Sequence, residues 1–166
     1  MKKRVLSLLV DNTVGVLSRV AGLFSRRGYN IESLTAGVTT DPRFTRMTVV
    51  VEGDELILEQ ITKQLQKLVD VEDIKILEPE ASVNRELILV KVRVEESQRQ
   101  SVITMADVFR GTVVDVGKDY LIIELTGKQD KLEAFIRLLD GYEILELART
   151  GITGLSRGSD DVRYFD

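Results

Sequence analysis

The first half of the sequence alternates apolar blocks with polar turns in an order that predicts an α+β unit. Residues 5–10 form an apolar run rich in strand-forming side chains and are followed by polar residues, which predicts a strand and then a turn. Apolar residues next recur three and four positions apart from Val16 to Phe24, and two arginines precede Gly28, which predicts a helix that ends at Gly28. The pattern continues with a hairpin, a second helix and a fourth strand, at residues 30–40 with 44–52, 58–68 and 71–77.

The second half repeats this order of elements after a polar segment. Residues 79–84 break the periodicity and contain one of the two prolines, so we interpret them as a linker. A strand, a helix, a hairpin, a helix and a strand are then predicted at residues 90–94, 102–109, 112–116 with 120–125, 132–139 and 143–148. Two tandem βαββαβ patterns predict an α+β fold with two ferredoxin-like units, residues 1–78 and 85–166. The glycine-rich tail at the end of the second unit lacks periodicity and is expected to be mobile unless a domain or a partner holds it.

The composition excludes most catalytic and nucleic-acid functions. The 166 residues include no histidine and no cysteine, so the chain has no imidazole base, no thiolate nucleophile and no zinc site built from these residues. Its 23 basic and 27 acidic residues give a net charge of −4, which disfavours nucleic acid as a partner. No apolar run approaches the ~20 residues that span a bilayer, and the basic N-terminus lacks the rest of a signal peptide. A cytoplasmic protein that does not enter the membrane is expected.

The loop that precedes the first predicted helix is the most informative segment. A helix N-terminus exposes unpaired N–H groups with a partial positive charge, and Gly15 lets a ligand approach the backbone, so a small carboxylate fits there. The alternative interpretation is structural. In that case Asn12 or Thr13 caps the helix, and Gly15 only relieves crowding.

Asn30, between the first helix and the next strand, is a second candidate. Its side chain offers both a carbonyl oxygen and an NH₂ group, which suits the ammonium or the carboxylate of a zwitterion. The alternative is an asparagine that simply favours a turn.

These candidates lie in blocks that closely resemble the small, regulatory subunit of acetolactate synthase (acetohydroxyacid synthase), whose first unit is an ACT domain. The two longest blocks are LSLLVDN (6–12) and GVLSRVAGLFSRRGYNIESL (15–34). The shorter ones are TRMT (45–48), QITKQLQKLVDV (60–71), RELILVKV (85–92), FRG (109–111), ARTG (148–151) and LSRG (155–158). The resemblance runs from about residue 3 to residue 158, with small departures from the family pattern at Val14, Tyr29 and Glu32.

The resemblance implies a regulatory chain that is not an enzyme on its own. Such subunits bind the large thiamine-diphosphate enzyme that condenses two pyruvates, or pyruvate with 2-oxobutyrate, in valine, isoleucine and leucine biosynthesis. They raise its activity and confer feedback inhibition by valine or a related branched-chain amino acid. Thiamine diphosphate, magnesium and, where present, FAD belong to that catalytic subunit, so no cofactor is expected in this chain. The expected partners are the catalytic subunit, a second copy of the chain and the effector.

The resemblance also implies an effector site shared by two chains. ACT units of the family pair through edge strands, so residues 12–15 of one chain face the Asn30 region of the other. The backbone N–H groups of Gly15 and Val16 are expected to bind the effector carboxylate. Asn12 and Asn30 are expected to orient its amino group. The aliphatic neighbours expected at its side chain are Leu17 and Ile31, and the supporting positions are Ser18, Thr35 and Gly37.

Two other functions are compatible with parts of the pattern. Gly15 followed by Arg19 on a ferredoxin-like frame faintly resembles the phosphate loop of acylphosphatase, but no asparagine on a central strand is available to hold the attacking water. A free-standing amino-acid sensor or transcription regulator built from ACT units would need a DNA-binding helix pair with a basic face, and none is visible.

Overall fold

The structure is a computed structural model that describes residues 2–159, and it confirms the predicted α+β fold with two ferredoxin-like units. One compact unit consists of residues 2–84 together with residues 152–159, and the other consists of Arg85–Gly151. Residues 160–166, predicted as part of the second unit, lie outside the described residues. Within the described residues, no helix combines the length and the apolar character that crossing a membrane requires.

The first unit is a four-stranded antiparallel sheet with two helices on one face. Its strands are β1 (Lys2–Asp11), β2 (Ile31–Val38), β3 (Phe44–Gly53) and β4 (Val71–Ile76), and its helices are α1 (Val16–Arg27) and α2 (Glu55–Gln66). The strand order β2-β3-β1-β4 places β2 and β4 at the edges. Leu8 pairs with Met47 in the two central strands, and both contribute to a core that Val20 and Phe24 of α1 and Ile61 of α2 complete.

The ends of both helices follow local chemistry. Gly28 adopts a left-handed conformation (φ 70°) after α1, where its N–H donates to the Ser25 carbonyl at 3.2 Å. Asp54 caps α2, because its carboxylate accepts the N–H of Ile57 at 2.9 Å. The prediction located the end of α1 through Gly28, whereas α2 begins three residues before its predicted start at residue 58, directly after the Asp54 cap.

The second unit repeats the topology with its own core. Its strands are β5 (Ser82–Arg93), β6 (Thr112–Val116), β7 (Tyr120–Gly127) and β8 (Glu143–Arg149), and its helices are α3 (Glu96–Val108) and α4 (Gln129–Leu138). The strand order is β6-β7-β5-β8. Val90 and Ile123 pair in the central strands, and the rings of Phe109 and Phe135 meet edge to face with centroids 5.3 Å apart.

The tail and the segment before β5 differ from the prediction. The tail was expected to belong to the second unit, but from Ile152 on it groups with the first unit and forms a strand, β9 (Thr153–Ser156). The N–H of Gly154 donates to the Thr48 hydroxyl at 3.3 Å, and the N–H of Arg157 donates to the Ala81 carbonyl at 2.8 Å. Residues 79–84, interpreted as a linker, form a 3₁₀ turn (Pro79–Ala81) and the first residues of β5. The tail is held by groups far away in sequence, which no local pattern reports, whereas the turn at Pro79–Ala81 is closed locally by the hydrogen bond from the Ala81 N–H to the Glu78 carbonyl at 3.0 Å.

Candidate functional site

The 12–15 loop connects β1 to α1 and is fastened to the turn between β2 and β3. The backbone N–H of Asn12 donates to the carbonyl of Arg43 at 2.7 Å. Its side-chain amide donates to the carbonyl of Pro42 at 3.0 Å, and its side-chain oxygen accepts the Thr45 hydroxyl at 3.2 Å. Both polar groups of the Asn12 side chain therefore already have protein partners, and they anchor the start of the loop.

The N-terminus of α1 carries no side-chain cap. Gly15 occupies the N-cap position with φ 83°, and the first helical hydrogen bond runs from the N–H of Arg19 to the Gly15 carbonyl at 2.9 Å. The N–H of Val16 donates to the Thr13 carbonyl at 3.3 Å. Neither Asn12 nor Thr13 caps the helix, so the capping part of the structural alternative is wrong. The remaining N–H groups of the first turn have no partner within the helix and keep their partial positive charge.

The other three helices begin differently. Asp54 caps α2, Glu95 and Gln98 form a capping box at α3, and Asp130 lies in the first turn of α4. Each of these N-termini thus has an acidic side chain at its first turn, whereas α1 has none. Among the helices in residues 2–159, α1 therefore offers the N-terminus best suited to an external carboxylate.

Exposed apolar side chains surround this N-terminus. The Val14 side chain is 98% exposed and that of Leu17 is about half exposed, whereas Val16 packs into the core. Val38 at the end of β2 and Val69 just before β4 are also exposed at this end of the sheet. An aliphatic ligand could cover such side chains, and the contact of Leu17 with an effector stays a prediction.

An ion pair that sequence reasoning missed holds the loop from the side of β4. Arg19 donates from Nε to Asp70 Oδ2 at 2.6 Å and from Nη2 to Asp70 Oδ1 at 3.1 Å. The Thr13 hydroxyl lies 3.3 Å from both Asp70 Oδ1 and Arg19 Nη2. A Cβ atom at Gly15 would lie 2.9 Å from Arg19 Nη1, so the guanidinium occupies the space that glycine leaves.

Both signs of charge are present at this end of the sheet. The hydrogen bond from Arg19 lowers the pKa of Asp70, with smaller contributions from the charge of Arg19 and from Thr13, while burial acts in the opposite direction. The hydrogen bond with Asp11 raises the pKa of the Glu72 carboxyl, and burial and the negative charge of Asp11 add to the effect. Asp70 therefore stays ionised as the partner of Arg19, and Glu72 binds its proton more tightly than an isolated glutamate.

The second predicted half of the site lies at the other end of the sheet. Ile31 begins β2 and pairs with Val51 near the end of β3, whereas the 12–15 loop follows the end of β1, which pairs with Phe44 at the start of β3. The eight residues of β2 span about 25 Å at about 3.3 Å per residue. Asn30 and Ile31 therefore do not meet the 12–15 loop of their own chain. The Asn30 side chain is exposed. Its role as an effector contact stays a prediction.

The supporting positions are dispersed. Ser18 is exposed in the first turn of α1, close to the loop. The Thr35 hydroxyl donates to the carbonyl of Ile152 in the tail at 3.5 Å, and Gly37 lies exposed near the end of β2. The helical spacing between Gly15 and Arg19 could have indicated that Arg19 reaches back over the loop. No local signal identifies its partner Asp70, which is 51 residues away.

The acylphosphatase alternative gains no support from this geometry. That reading requires an arginine whose guanidinium is available to a phosphate. Here both Nε and Nη2 of Arg19 are bonded to a buried carboxylate, which already neutralises the charge.

Comparisons with known proteins agree across the whole chain. Residues 6–73 match the family model described as an AHAS small subunit-like ACT domain, and residues 85–158 match the model described as the small subunit of acetolactate synthase. The chain is 52% identical over 156 residues to a probable acetolactate synthase small subunit of Methanothermobacter thermautotrophicus, which covers 93% of each chain. It is 48% identical to the acetolactate synthase isozyme 3 small subunit of Escherichia coli, over 97% of this chain and 99% of that one.

A solved structure extends the similarity to three dimensions. The crystal structure of the acetolactate synthase small subunit from Thermotoga maritima superposes with a TM-score of 0.89 at 41% sequence identity. The match covers 96% of this chain and 99% of that chain. The fold of this chain is therefore the fold of a solved acetolactate synthase small subunit.

Proposed function

The chain belongs to the family of acetolactate synthase small subunits, and we propose that it activates the thiamine-diphosphate catalytic subunit and confers feedback inhibition by valine or a related branched-chain amino acid. It regulates and does not catalyse. Thiamine diphosphate, magnesium and any FAD are held by the catalytic subunit, with which the chain forms a cytoplasmic complex.

One observation carries the effector part of the proposal: the N-terminus of α1 is left uncapped beside Gly15. Unpaired N–H groups with a partial positive charge suit the carboxylate of a free amino acid. The exposed Val14 and Leu17 side chains suit an aliphatic side chain of the same ligand. A carboxylate joined to a short apolar group is the chemistry of valine, leucine and isoleucine.

A homodimer brings the two halves of the site together. Within residues 2–159, the edge strand β2 has no strand on its outer side. If two copies pair their β2 strands antiparallel about a twofold axis, the start of one β2 lies opposite the end of the other. The end of β2 lies at the same end of the sheet as the 12–15 loop. Asn30 of the partner subunit would then face this loop, and the effector would lie between the two chains.

Such a site explains how binding regulates a separate enzyme. Valine that contacts both chains favours one arrangement of the two chains. The activity of the bound enzyme changes only as far as the affinity for valine differs between these arrangements. The coupling free energy in such systems is typically about 1–3 kcal/mol. Discrimination against leucine or isoleucine rests on single methylene groups, worth about 1–3 kcal/mol each.

Reconstitution tests the proposal. The purified chain is mixed with the acetolactate synthase catalytic subunit from the same source, and acetolactate formation is measured with and without valine, leucine or isoleucine. We expect the chain to raise the rate and at least one of these amino acids to lower it again. An unchanged rate would refute activation, and a raised rate that none of the three lowers would refute feedback inhibition. Calorimetry of the isolated chain with valine locates the binding on this subunit.

A further inference from the structure

The 12–15 loop keeps its conformation without a helix cap, so other contacts must determine it. Asn12 fastens the start of the loop to the turn between β2 and β3. The remainder, from Thr13 to Gly15, is contacted by Arg19 and by the buried carboxylate of Asp70. The side chain of Asp70 is 9% exposed and that of Arg19 is 46% exposed.

The backbone holds Asp70 rigidly in place. Asp70 lies in the turn between α2 and β4, where the N–H of Val71 donates to the Leu68 carbonyl at 3.1 Å. The N–H of Asp11, at the end of β1, donates to the Asp70 carbonyl at 2.8 Å. The register between β1 and β4 shifts close by, because Val10 pairs with Val71 whereas Leu9 pairs with Asp73. These hydrogen bonds fix the backbone of Asp70, and its carboxylate lies next to Thr13 of the loop.

Arg19 connects the carboxylate of Asp70 to the loop. Two of its nitrogens bond the two oxygens of Asp70, an arrangement that only the planar guanidinium fork provides. The same group contacts the Thr13 hydroxyl and covers the Cα side of Gly15. The Thr13 hydroxyl donates to Asp70 Oδ1 and accepts from Arg19 Nη2, so the ion pair fixes Thr13 two residues before the N-cap residue Gly15.

We propose that Asp70, acting through Arg19, is a positioning residue for the effector: the ion pair holds Thr13 and Gly15 so that the first turn of α1 stays uncapped and open to a carboxylate. This inference rests on the proposed function and adds to it the residues that set effector affinity. Asp70 does not touch the ligand. Its loss weakens binding because the loop spends part of its time in conformations that hide the N–H groups.

The test is Asp70→Asn, which keeps the size of the side chain and removes its charge, with Arg19→Gln and the double variant. The valine dissociation constant of the full-length chain is measured by calorimetry. We expect each single change to weaken valine binding at least about tenfold. The double variant should bind no more weakly than either single variant, because both changes break one pair. Asp70→Glu, which preserves the charge, should recover part of the affinity.

A matched control comes from the second unit. Arg149 donates to the buried carboxylate of Glu86 at 2.6 Å, and the side chain of Glu86 is 3% exposed. Arg149 also donates to Glu133 at 3.0 Å. Glu86→Gln therefore removes a buried charge from an ion-pair cluster of the second unit, and it should leave the valine dissociation constant within twofold. An equal loss of affinity in Glu86→Gln would overturn the inference, because general destabilisation would then explain both results.

Amide hydrogen exchange measures the loop without any effector. Asp70→Asn should accelerate exchange at residues 13–17 and leave the centre of β1 protected. Unchanged exchange at residues 13–17, or unchanged valine affinity, contradicts the positioning role. If the wild-type chain binds no branched-chain amino acid, the proposed function fails, while hydrogen exchange still decides whether Asp70 orders the loop. If Asp70→Asn does not fold, Arg19→Lys at a half-exposed position serves instead, since one ammonium group cannot replace the fork.

Discussion

The two units share a topology but begin their first helices in opposite ways. In the first unit, Gly15 precedes α1 in a left-handed conformation, without a capping side chain. In the second unit, Glu95 and Gln98 close the N-terminus of α3 with a capping box, in which Gln98 Oε1 accepts the Glu95 N–H at 2.9 Å. The same fold therefore presents an open helix N-terminus in one unit and a satisfied one in the other.

The arginine one turn into each helix shows the same contrast. Arg19 follows Gly15 by four residues and bonds a carboxylate, whereas Arg99 follows Glu95 by four residues and donates to the carbonyls of Gly117 and Lys118 at 3.1 and 2.8 Å. Arg99 thus fastens the hairpin turn of its own unit. The chemistry at the start of the first helix therefore depends on a few loop residues rather than on the fold.

Closing the open helix with a carboxylate should have the largest effect. In Gly15→Asp the new side chain lies beside Arg19 Nη1 and occupies the anion position, and the left-handed backbone (φ 83°) adds strain. We expect valine binding to weaken at least about 100-fold, since like charges at a binding site cost several kcal/mol. Calorimetry with valine, and acetolactate formation with and without valine, measure the loss.

Gly15→Ala is the control for that variant, because it adds the backbone strain without the charge. It should weaken binding less than Gly15→Asp does. If Gly15→Asp bound and responded to valine like the wild type, the assignment of the carboxylate site to this loop would be wrong.

Opening the closed helix tests the other side of the comparison. Gln98→Ala removes the acceptor of the Glu95 N–H and should lower the free energy of unfolding by about 1 kcal/mol. Urea denaturation measures this change. The affinity for valine should not change, because α3 lies outside the proposed site. A loss of valine binding comparable to that of Gly15→Asp would mean that the two units do not divide their roles as proposed.

An acidic residue in the first turn of α1 should make it resemble the other helices. Ser18→Glu places a negative charge near the helix N-terminus, which should stabilise the fold by about 0.3–1 kcal/mol. The same charge should weaken valine binding by about two- to fivefold through repulsion of the carboxylate. The unfolding temperature should therefore rise while the valine affinity measured by calorimetry falls. Neutral Ser18→Gln is the control. A gain in both stability and affinity would argue against an anion at this position.

Acid titration distinguishes the ion pair of Arg19 from the hydrogen bonds of Arg99 by the pH dependence of the stability that each contributes. The pKa of Asp70 lies below its ordinary value of 3.8, so the stability from its pair with Arg19 is fully present above pH 3.8 and is lost as the pH falls through the lowered pKa. The difference in unfolding free energy between the wild type and Asp70→Asn should therefore shrink in strong acid. Arg99 bonds carbonyl oxygens, which do not titrate, so the corresponding difference for Arg99→Gln should vary less with pH. Equal pH dependence of the two differences would contradict this assignment.

Local sequence signals account for most of the fold and for one half of the site. The helical spacing from Val16 to Phe24 and the left-handed Gly28 define α1, and Asp54 marks the start of α2. Gly15 identified the loop as a candidate ligand site, and the contact of an effector with its backbone stays a prediction. The alternative in which Asn12 or Thr13 caps α1 was wrong, because Gly15 occupies the N-cap position and both side chains bond groups far along the chain.

The sequence alone determined the two units, their element order and the helix N-terminus suited to a carboxylate, because periodicity and capping depend on residues within a few positions of one another. Only the tertiary structure decided that the tail returns to the first unit, that Asp70 bonds Arg19, and that Asn30 lies at the far end of the sheet from Gly15. These features depend on strand order and on contacts between segments about 50 or more residues apart. Such contacts lower the free energy only once the core has formed, and no short stretch of sequence specifies them.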